Sequence, residues 1–285
     1  MSLITASRHQ FETGSLFLFD PGQLRDLGGS LGPSFQTASP VPHCVLDDFL
    51  PEEVAARLLD EFPGMDNFPW RQHNHSHSRK LSCNNEQHLR PFTRWMIYQL
   101  HSGPFLRFLE ELTGIKALLP DPHLEGGGWH QIERNGRLEI HADFNWHPQL
   151  QLDRRLNLLL FLNRDWHESY GGAFELWDRD MTRCVKSFLP LYNRCVIFTT
   201  TDWSYHGHPH PLMCPPERTR KSLALYYYTV GRPAEERSAP HSTLYQTRGD
   251  EKHADRPQPK GVLRSLAGWV GRGICQASKV LRYPR

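Results

Sequence analysis

The 285-residue sequence lacks most of the features that assign a function class at a glance. It has no Cys-x-x-Cys pair. Its six cysteines (Cys44, Cys83, Cys184, Cys195, Cys214 and Cys275) are scattered, which argues against a structural zinc site and against a dense disulfide framework and reads as reduced thiols in a cytoplasmic protein. No apolar run approaches the roughly 20 residues that span a bilayer. Met1 to Phe19 has no uninterrupted apolar core between a basic end and a small-residue cleavage site, so no secretory leader is expected. Charge imbalance is missing too. A net charge of +2 with 22% charged residues gives no electrostatic reason to expect a nucleic-acid partner. The seventeen histidines are too many for a count to identify ligands.

What is present divides the chain into four stretches. Residues 1–40 mix short apolar pieces with Gly28-Gly29 and Gly32-Pro33 and read as an irregular N-terminal arm. Residues 41–117 read as a helical support region. Pro51 and the acidic Glu52-Glu53 suit a helix start, and Val54, Leu58, Leu59 and Phe62 follow at helical spacing. Two more helices are expected over about 91–100 and 104–112, the second ended by Gly114. Between them and the first helix, 66–80 reads as a loop whose His73, His75 and His77 have no carboxylate or cysteine fixed beside them and are read as non-ligands.

From Leu118 to Arg232 the pattern changes to short β-type segments bounded by turn residues, with Asn135-Gly136 a strong hairpin signal. Strands are expected over 129–133, 137–141, 156–162, 173–177, 194–199 and 222–229. Many short strands at even spacing indicate a sandwich or barrel of the jelly-roll kind, so the fold class is α+β. Residues 233–285 form a polar linker and a basic tail. From 256 onward there is no Asp or Glu, and Val262, Leu263, Leu266, Trp269, Val270 and Ile274 make a basic amphipathic stretch suited to membrane-surface contact. Gly268, Gly271 and Gly273 weaken a helix there, so a loosely packed or disordered tail is the preferred reading over membrane contact.

The chemistry-bearing stretch is Ile140-His141-Ala142-Asp143. In an extended chain His141 and Asp143 share a face and supply two of the three ligands of a 2-His-1-carboxylate triad, which suits ferrous iron and leaves positions open. The third ligand is sought some sixty residues on, where the buried strand Val196–Thr200 leads to Ser204-Tyr205-His206-Gly207-His208. His206, His208 and His210 are all candidates. His206 is preferred because it follows the strand, whereas Pro209 and Pro211 mark a loop around the others. Next comes Thr219-Arg220-Lys221-Ser222, opening a core strand. A buried arginine there needs an anion, which a dicarboxylate would supply. Arg220 and Ser222 share one strand face and Lys221 the other.

Taken together, His141-Ala-Asp143, Arg155-Leu-Asn157-Leu-Leu-Leu-Phe-Leu-Asn163, Gly171-Gly172-Ala-Phe-Glu175-Leu, His206-Gly207 and Arg220-Lys-Ser222 resemble the 2-oxoglutarate- and Fe(II)-dependent oxygenase superfamily, in its prolyl 4-hydroxylase-like branch. The resemblance covers about 85–232. It implies a double-stranded β-helix core and iron on His141, Asp143 and His206. It also implies 2-oxoglutarate on Arg220 and Ser222, Asn157 as a further cosubstrate or supporting contact, and ascorbate as reductant. The implied reaction hydroxylates a C–H bond, releasing succinate and carbon dioxide. The Pro-rich insert 209–216 departs from the pattern and bears on which histidine binds. The substrate stays open between a prolyl or other amino-acid side chain and a small molecule. A zinc hydrolase and a non-catalytic jelly-roll protein that binds a ligand or partner are the rival readings; the first has no use for Arg220-Lys-Ser222, and the intact triad disfavours the second. The substrate entrance is expected at 66–80 and 144–153, with Trp70, Phe144, Trp146 and His147.

Overall fold

The computed structural model describes residues 17–247; the amphipathic tail and residues 1–16 lie outside them. The elements in order are α1 (Pro21–Gln36), β1 (His43–Leu46), α2 (Glu52–Glu61), β2 (Arg71–His75), β3 (Ser78–Cys83), α3 (Pro91–Leu100), α4 (Gly103–Thr113), β4 (Leu119–Pro120), β5 (Gly128–Ile132), β6 (Leu138–Ala142), β7 (Trp146–His147), β8 (Leu152–Phe161), β9 (Phe174–Trp177), β10 (Cys184–Phe188), β11 (Arg194–Thr199), β12 (His206–His208), β13 (Arg220–Thr229) and β14 (Leu244–Tyr245). All pairings are antiparallel, in the order β1-β11-β8-β13-β5-β3-β6-β12-β9-β10. The sheet curls over at β3–β6 and folds back on itself as a jelly roll, one layer ending in β1-β11-β8-β13-β5-β3 and the other in β6-β12-β9-β10.

Strand alternation sorts the side chains. On β13, Leu223, Leu225 and Tyr227 face outward and pack with Phe105, Phe108, Leu109 and Met96 of the helices. Each such buried side chain contributes about 1.5–3 kcal/mol relative to exposure. Arg220, Ser222, Ala224 and Tyr226 occupy the opposite face, toward the barrel interior. There Phe161, Phe174, Leu176, Val196 and Phe198 form an inner apolar cluster between the layers. No helix among the described residues is long and apolar enough to cross a membrane.

Three stretches differ from expectation. Within the supposed irregular arm, residues 21–36 are helical. Asp20 caps α1 by accepting from Gln23 N at 2.8 Å, and Pro21 suits the first turn. The glycines that suggested irregularity serve close packing instead. A Cβ on Gly28 would lie 3.0 Å from Glu111 Cβ and from Phe108 O, and one on Gly32 3.1 Å from Glu111 O, so both are contact points with α4. The supposed loop 66–80 contains the β2–β3 hairpin, in register His73↔Lys80 and Arg71↔Ser82. Pairing of Leu81–Cys83 with β5 stabilises it, a tertiary effect that overrides the segment's polar composition. Finally, part of the supposed linker is held on the core. Leu244 and Tyr245 pair with Ala142 and His141, and Asn145 Nδ2 donates to Ser238 Oγ (2.8 Å) and Ala239 O (3.0 Å).

Candidate active site

The mouth of the barrel is where β6 ends and β12 begins. The two strands are antiparallel with His206 directly opposite His141, which brings the imidazole centroids to 4.4 Å. Asp143 follows β6 and turns its carboxylate between the rings: Oδ1 lies 3.6 Å from His141 Nε2, and Oδ2 lies 3.4 Å from His206 Nε2. The three donor atoms lie within 4.8 Å of one another. Among the described residues this is the one cluster of its kind.

The rings are set up as ligands. Nδ1 of His141 lies 2.8 Å from Glu139 O, and Nδ1 of His206 lies 2.8 Å from Ser204 O. A carbonyl oxygen only accepts, so each Nδ1 carries the proton and each Nε2 turns a lone pair inward. Burial pushes His206 down to about 4, with the Asp143 charge opposing, so this ring is neutral at ordinary pH.

Asp143 is held from behind by two residues of β8. Asn157 Nδ2 donates to Oδ2 at 2.7 Å, and Arg154 Nη2 lies 3.1 Å from the same oxygen. Arg154 also donates to Asn157 Oδ1 from Nε (3.0 Å) and Nη2 (2.7 Å). Its guanidinium stacks between Tyr226 at 3.4 Å and Phe144 at 4.4 Å from the ring centroids. Burial acts to raise the Asp143 carboxyl, but the Arg154 charge, joined by His206 and His141, outweighs it and holds the group well below the usual range. The carboxylate is therefore anionic and fixed, with Oδ1 the less encumbered oxygen. Asn157 and the Arg154 cation share Oδ2, which leaves Oδ1 free to serve as a metal ligand atom.

Deeper in the barrel, Arg220 is 5% exposed and has no carboxylate partner among the described residues. Its Nε donates to Gly172 O at 2.8 Å, and its guanidinium lies 4.8 Å from the Phe161 ring centroid. Gly172, at φ +72°, is needed here twice over. Its φ is one an L side chain rarely adopts, and a Cβ would run into Leu212 Cδ2 and lie 3.1 Å from Arg220 Cδ. Burial alone pushes Arg220 down to about 9. A buried cation with no carboxylate partner among the described residues fits an anionic ligand better than it fits a packed core. Ser222 is buried two residues on, on the same face. A cavity of about 220 Å3 reaches the triad, with His141, Asp143, Phe144, Arg154, Lys80 and Tyr245 among its walls.

Of the residues singled out from the sequence, His141, Asp143 and His206 meet at the mouth, and Arg220 and Ser222 share the inner face of β13. Asn157 directs its amide to Asp143. His208 faces the interior apart from the cluster, and His210 is exposed. Lys221 is on the other face, its Nζ donating to Thr219 Oγ1 at 2.9 Å. Of the expected entrance residues, Phe144 lines the cavity. Trp70 instead packs on Phe62 and Phe68. His147 is fully buried, donates to Asp121 at 3.2 Å and accepts from the backbone of Gln149 and Leu150; it anchors a loop. Sequence reasoning missed Arg154 and Lys80. Arg154 was hidden by a β-bulge. Tyr227 opposes Leu156 while Tyr228 opposes Arg154, so Arg155 is an extra residue, and the bulge turns Arg154 to the same side as Asn157 three residues on.

Comparisons with known proteins bear on this geometry. Residues 127–228 match the family model described as the 2OG-Fe(II) oxygenase superfamily, a span holding all three cluster residues and Arg220. No curated protein matches the sequence. A prolyl-4-hydroxylase from Pseudomonas putida is similar in structure, with TM-score 0.52 and 13% identity over 72% of this chain and 100% of that one. A prolyl hydroxylase from Trichoplax adhaerens, solved with a hypoxia inducible factor oxygen degradation domain peptide, gives TM-score 0.52 and 13% identity over 73% and 91%. At that identity the likeness is one of fold.

Proposed function

Given that residues 127–228 belong to the 2-oxoglutarate- and Fe(II)-dependent oxygenase superfamily, we propose that His141, Asp143 and His206 hold the iron and that Arg220 and Ser222 hold the far carboxylate of 2-oxoglutarate. The reaction is hydroxylation of a substrate C–H bond, with release of succinate and carbon dioxide. The observation that carries this reading is the pairing of a two-histidine, one-carboxylate cluster at the barrel mouth with a buried, anion-free arginine deeper inside. A zinc hydrolase has no use for that arginine.

When bound, iron and 2-oxoglutarate supply the oxidative decarboxylation and the oxygen chemistry. The protein's residues do the rest. The backbone carbonyls of Glu139 and Ser204 fix the two imidazoles by accepting from Nδ1. Arg154 and Asn157 hold Asp143 in one orientation. Arg220 gives a carboxylate a guanidinium already immobilised by Gly172 O and Phe161, so little side-chain freedom is lost on binding. Phe198 and Phe174 pack at 4.8 and 5.6 Å from the His206 ring centroid and exclude water from behind it. The β2–β3 hairpin, Phe144 and Tyr245 frame the side from which substrate approaches.

The first substrate class to test is a prolyl or other amino-acid side chain, the chemistry named for the two structural neighbours. Ascorbate, as external reductant, and a cytoplasmic setting belong to the same proposal. The test is succinate release from 2-oxoglutarate with Fe(II) in air, with and without candidate peptides, and mass spectrometry for a product gaining one oxygen atom. Wild-type turnover that Asp143→Ala abolishes supports the reading. Turnover surviving in a folded Asp143→Ala protein removes the triad, and no 2-oxoglutarate consumption under any condition removes the oxygenase.

A further inference from the structure

Building on the oxygenase reading, we propose that Lys80 and His208 join Arg220 around the far carboxylate of 2-oxoglutarate, so that the cosubstrate is clamped between two cations and an imidazole. The strand registers place these groups together. Arg220 on β13 is opposite Ile132 on β5. Leu81 on β3 is opposite Gln131, so one step along the same register Lys80 falls beside Ile132. Arg220, Ile132 and Lys80 thus form one transverse row on the inner face, with Ser222, His130 and Ser82 in the next. Two strand spacings separate the backbones of Arg220 and Lys80 by about 9.5 Å, a gap that two long side chains close around a carboxylate. The facing layer supplies His208, beside Leu138, where β3 meets β6 through Ser78.

None of the three has an anionic partner among the described residues. His208 is 3% exposed, and neither of its ring nitrogens has a hydrogen-bond partner among the described residues. Lys80 lines the cavity beside His141 and Asp143 without a hydrogen bond or ion pair of its own among the described residues. Arg220 spends only its Nε, on Gly172. Arg220 and Lys80 both bear electrostatically on His208, and Arg220 bears on Lys80. The nearest anion, Asp143, is already engaged by Arg154 and the two ligand imidazoles. Ser78 Oγ, buried in the same wall, is a further unpartnered hydroxyl. Two uncompensated cations and an unsatisfied buried imidazole on neighbouring strand positions are costly until an anion with several acceptor positions comes between them. A carboxylate offers about four, enough for Arg220, Lys80 and His208 at once.

The experiment is anaerobic calorimetry on the full chain loaded with Mn(II), which does not turn over. It compares 2-oxoglutarate with 2-oxopentanoate, which has a methyl group in place of the far carboxylate. Mn(II) affinity without 2-oxo acid, and the thermal midpoint, report the metal site and the fold separately. In Lys80→Met, 2-oxoglutarate binding weakens on the order of 30-fold, while 2-oxopentanoate binding changes by less than about threefold. Lys80→Arg retains most of the affinity. His208→Gln weakens 2-oxoglutarate by about fivefold with Mn(II) affinity intact. Should Lys80→Met misfold, Lys80→Gln takes its place in the same comparison. Equal shifts for both ligands, or none for either, overturn the proposal: Lys80 then acts on the primary substrate or on packing. A wild-type protein that binds Mn(II) but not 2-oxoglutarate overturns the oxygenase reading itself, a distinct result.

Discussion

Replacing Arg154 by Met removes one charge and little volume, and its consequences follow from the geometry around Asp143. The Arg154 side chain is 1% exposed and its Nη2 lies 3.1 Å from Asp143 Oδ2. At an effective dielectric constant near 20, two unit charges at that distance attract by about 5 kcal/mol. Removing one member of a buried pair costs about 3–5 kcal/mol, because the other stays buried and uncompensated. The stacking on Tyr226 and Phe144 is worth about 1 kcal/mol per ring, part of which a thioether retains. For a folded unit of this size each kcal/mol shifts the midpoint by about 2–4 °C, so metal-free Arg154→Met should melt roughly 6–20 °C below wild type. A divalent metal on Asp143 restores the missing positive charge. Saturating Mn(II) should therefore raise the variant's midpoint by more than it raises that of wild type. Differential scanning fluorimetry in EDTA and in Mn(II) gives all four midpoints. A metal-free variant melting within about 2 °C of wild type, or an equal metal-induced gain in both proteins, would refute the assignment of Arg154 as the counter-charge of Asp143.

Other expectations are read from single features. Arg220→Ala should cost about 2–5 kcal/mol of 2-oxoglutarate binding, whereas Lys221→Ala, on the other strand face, should change it by less than about threefold; an anaerobic titration with a larger loss from Lys221 would reverse the facing of β13. Acid should destabilise the metal-free protein early. His206 and His101 are pushed down to about 4 by burial, and His130 and His208 go well below their ordinary value for the same first cause. The unfolded chain binds protons that these rings refuse, so stability is present above about pH 6.5 and falls as pH drops toward 4; a denaturation midpoint flat over that range would contradict their neutral burial. Gly28→Val should lower stability by about 1–3 kcal/mol by forcing α1 off α4, and urea melts unchanged from wild type would show that the helices do not meet there.

Much of the architecture was legible because it rests on local or strictly periodic signals. The helices at 52–61, 91–100 and 103–113 carry apolar residues at helical spacing with Pro at or near their starts and Gly114 at an end, and they form within a residue or two of expectation. The Asn135-Gly136 turn forms between β5 and β6, with Asn135 at φ 65°, but the hairpin expected there does not, because β3 lies between the two strands and pairs with both. The same period-two logic put His141 beside Asp143 and Arg220 beside Ser222. What escaped was structure maintained from elsewhere. Residues 71–83 are polar and carry no strand pattern; they are extended because β5 offers them hydrogen bonds. Leu244 and Tyr245 are two apolar residues in a polar stretch, and the edge of β6 makes them a strand.

The sequence by itself determined which side chains have chemistry to offer and which of them share a strand face, since alternation along an extended chain needs no partner. It also determined that a jelly roll with helices on one side was the economical way to bury its apolar periodicities. Only the tertiary structure brings His206, and not His208 or His210, to His141 and Asp143, because strand pairing of β12 with β6, not residue type, puts that imidazole opposite His141. It likewise decided that Arg154 and Asn157 act together on Asp143. Residues three apart on a regular strand point to opposite sides, and it is the bulge at Arg155, set by pairing with β13, that turns both inward. Lys80 lies inside the barrel for the same kind of reason: its position follows from which strand β3 lies beside, and that information belongs to β5.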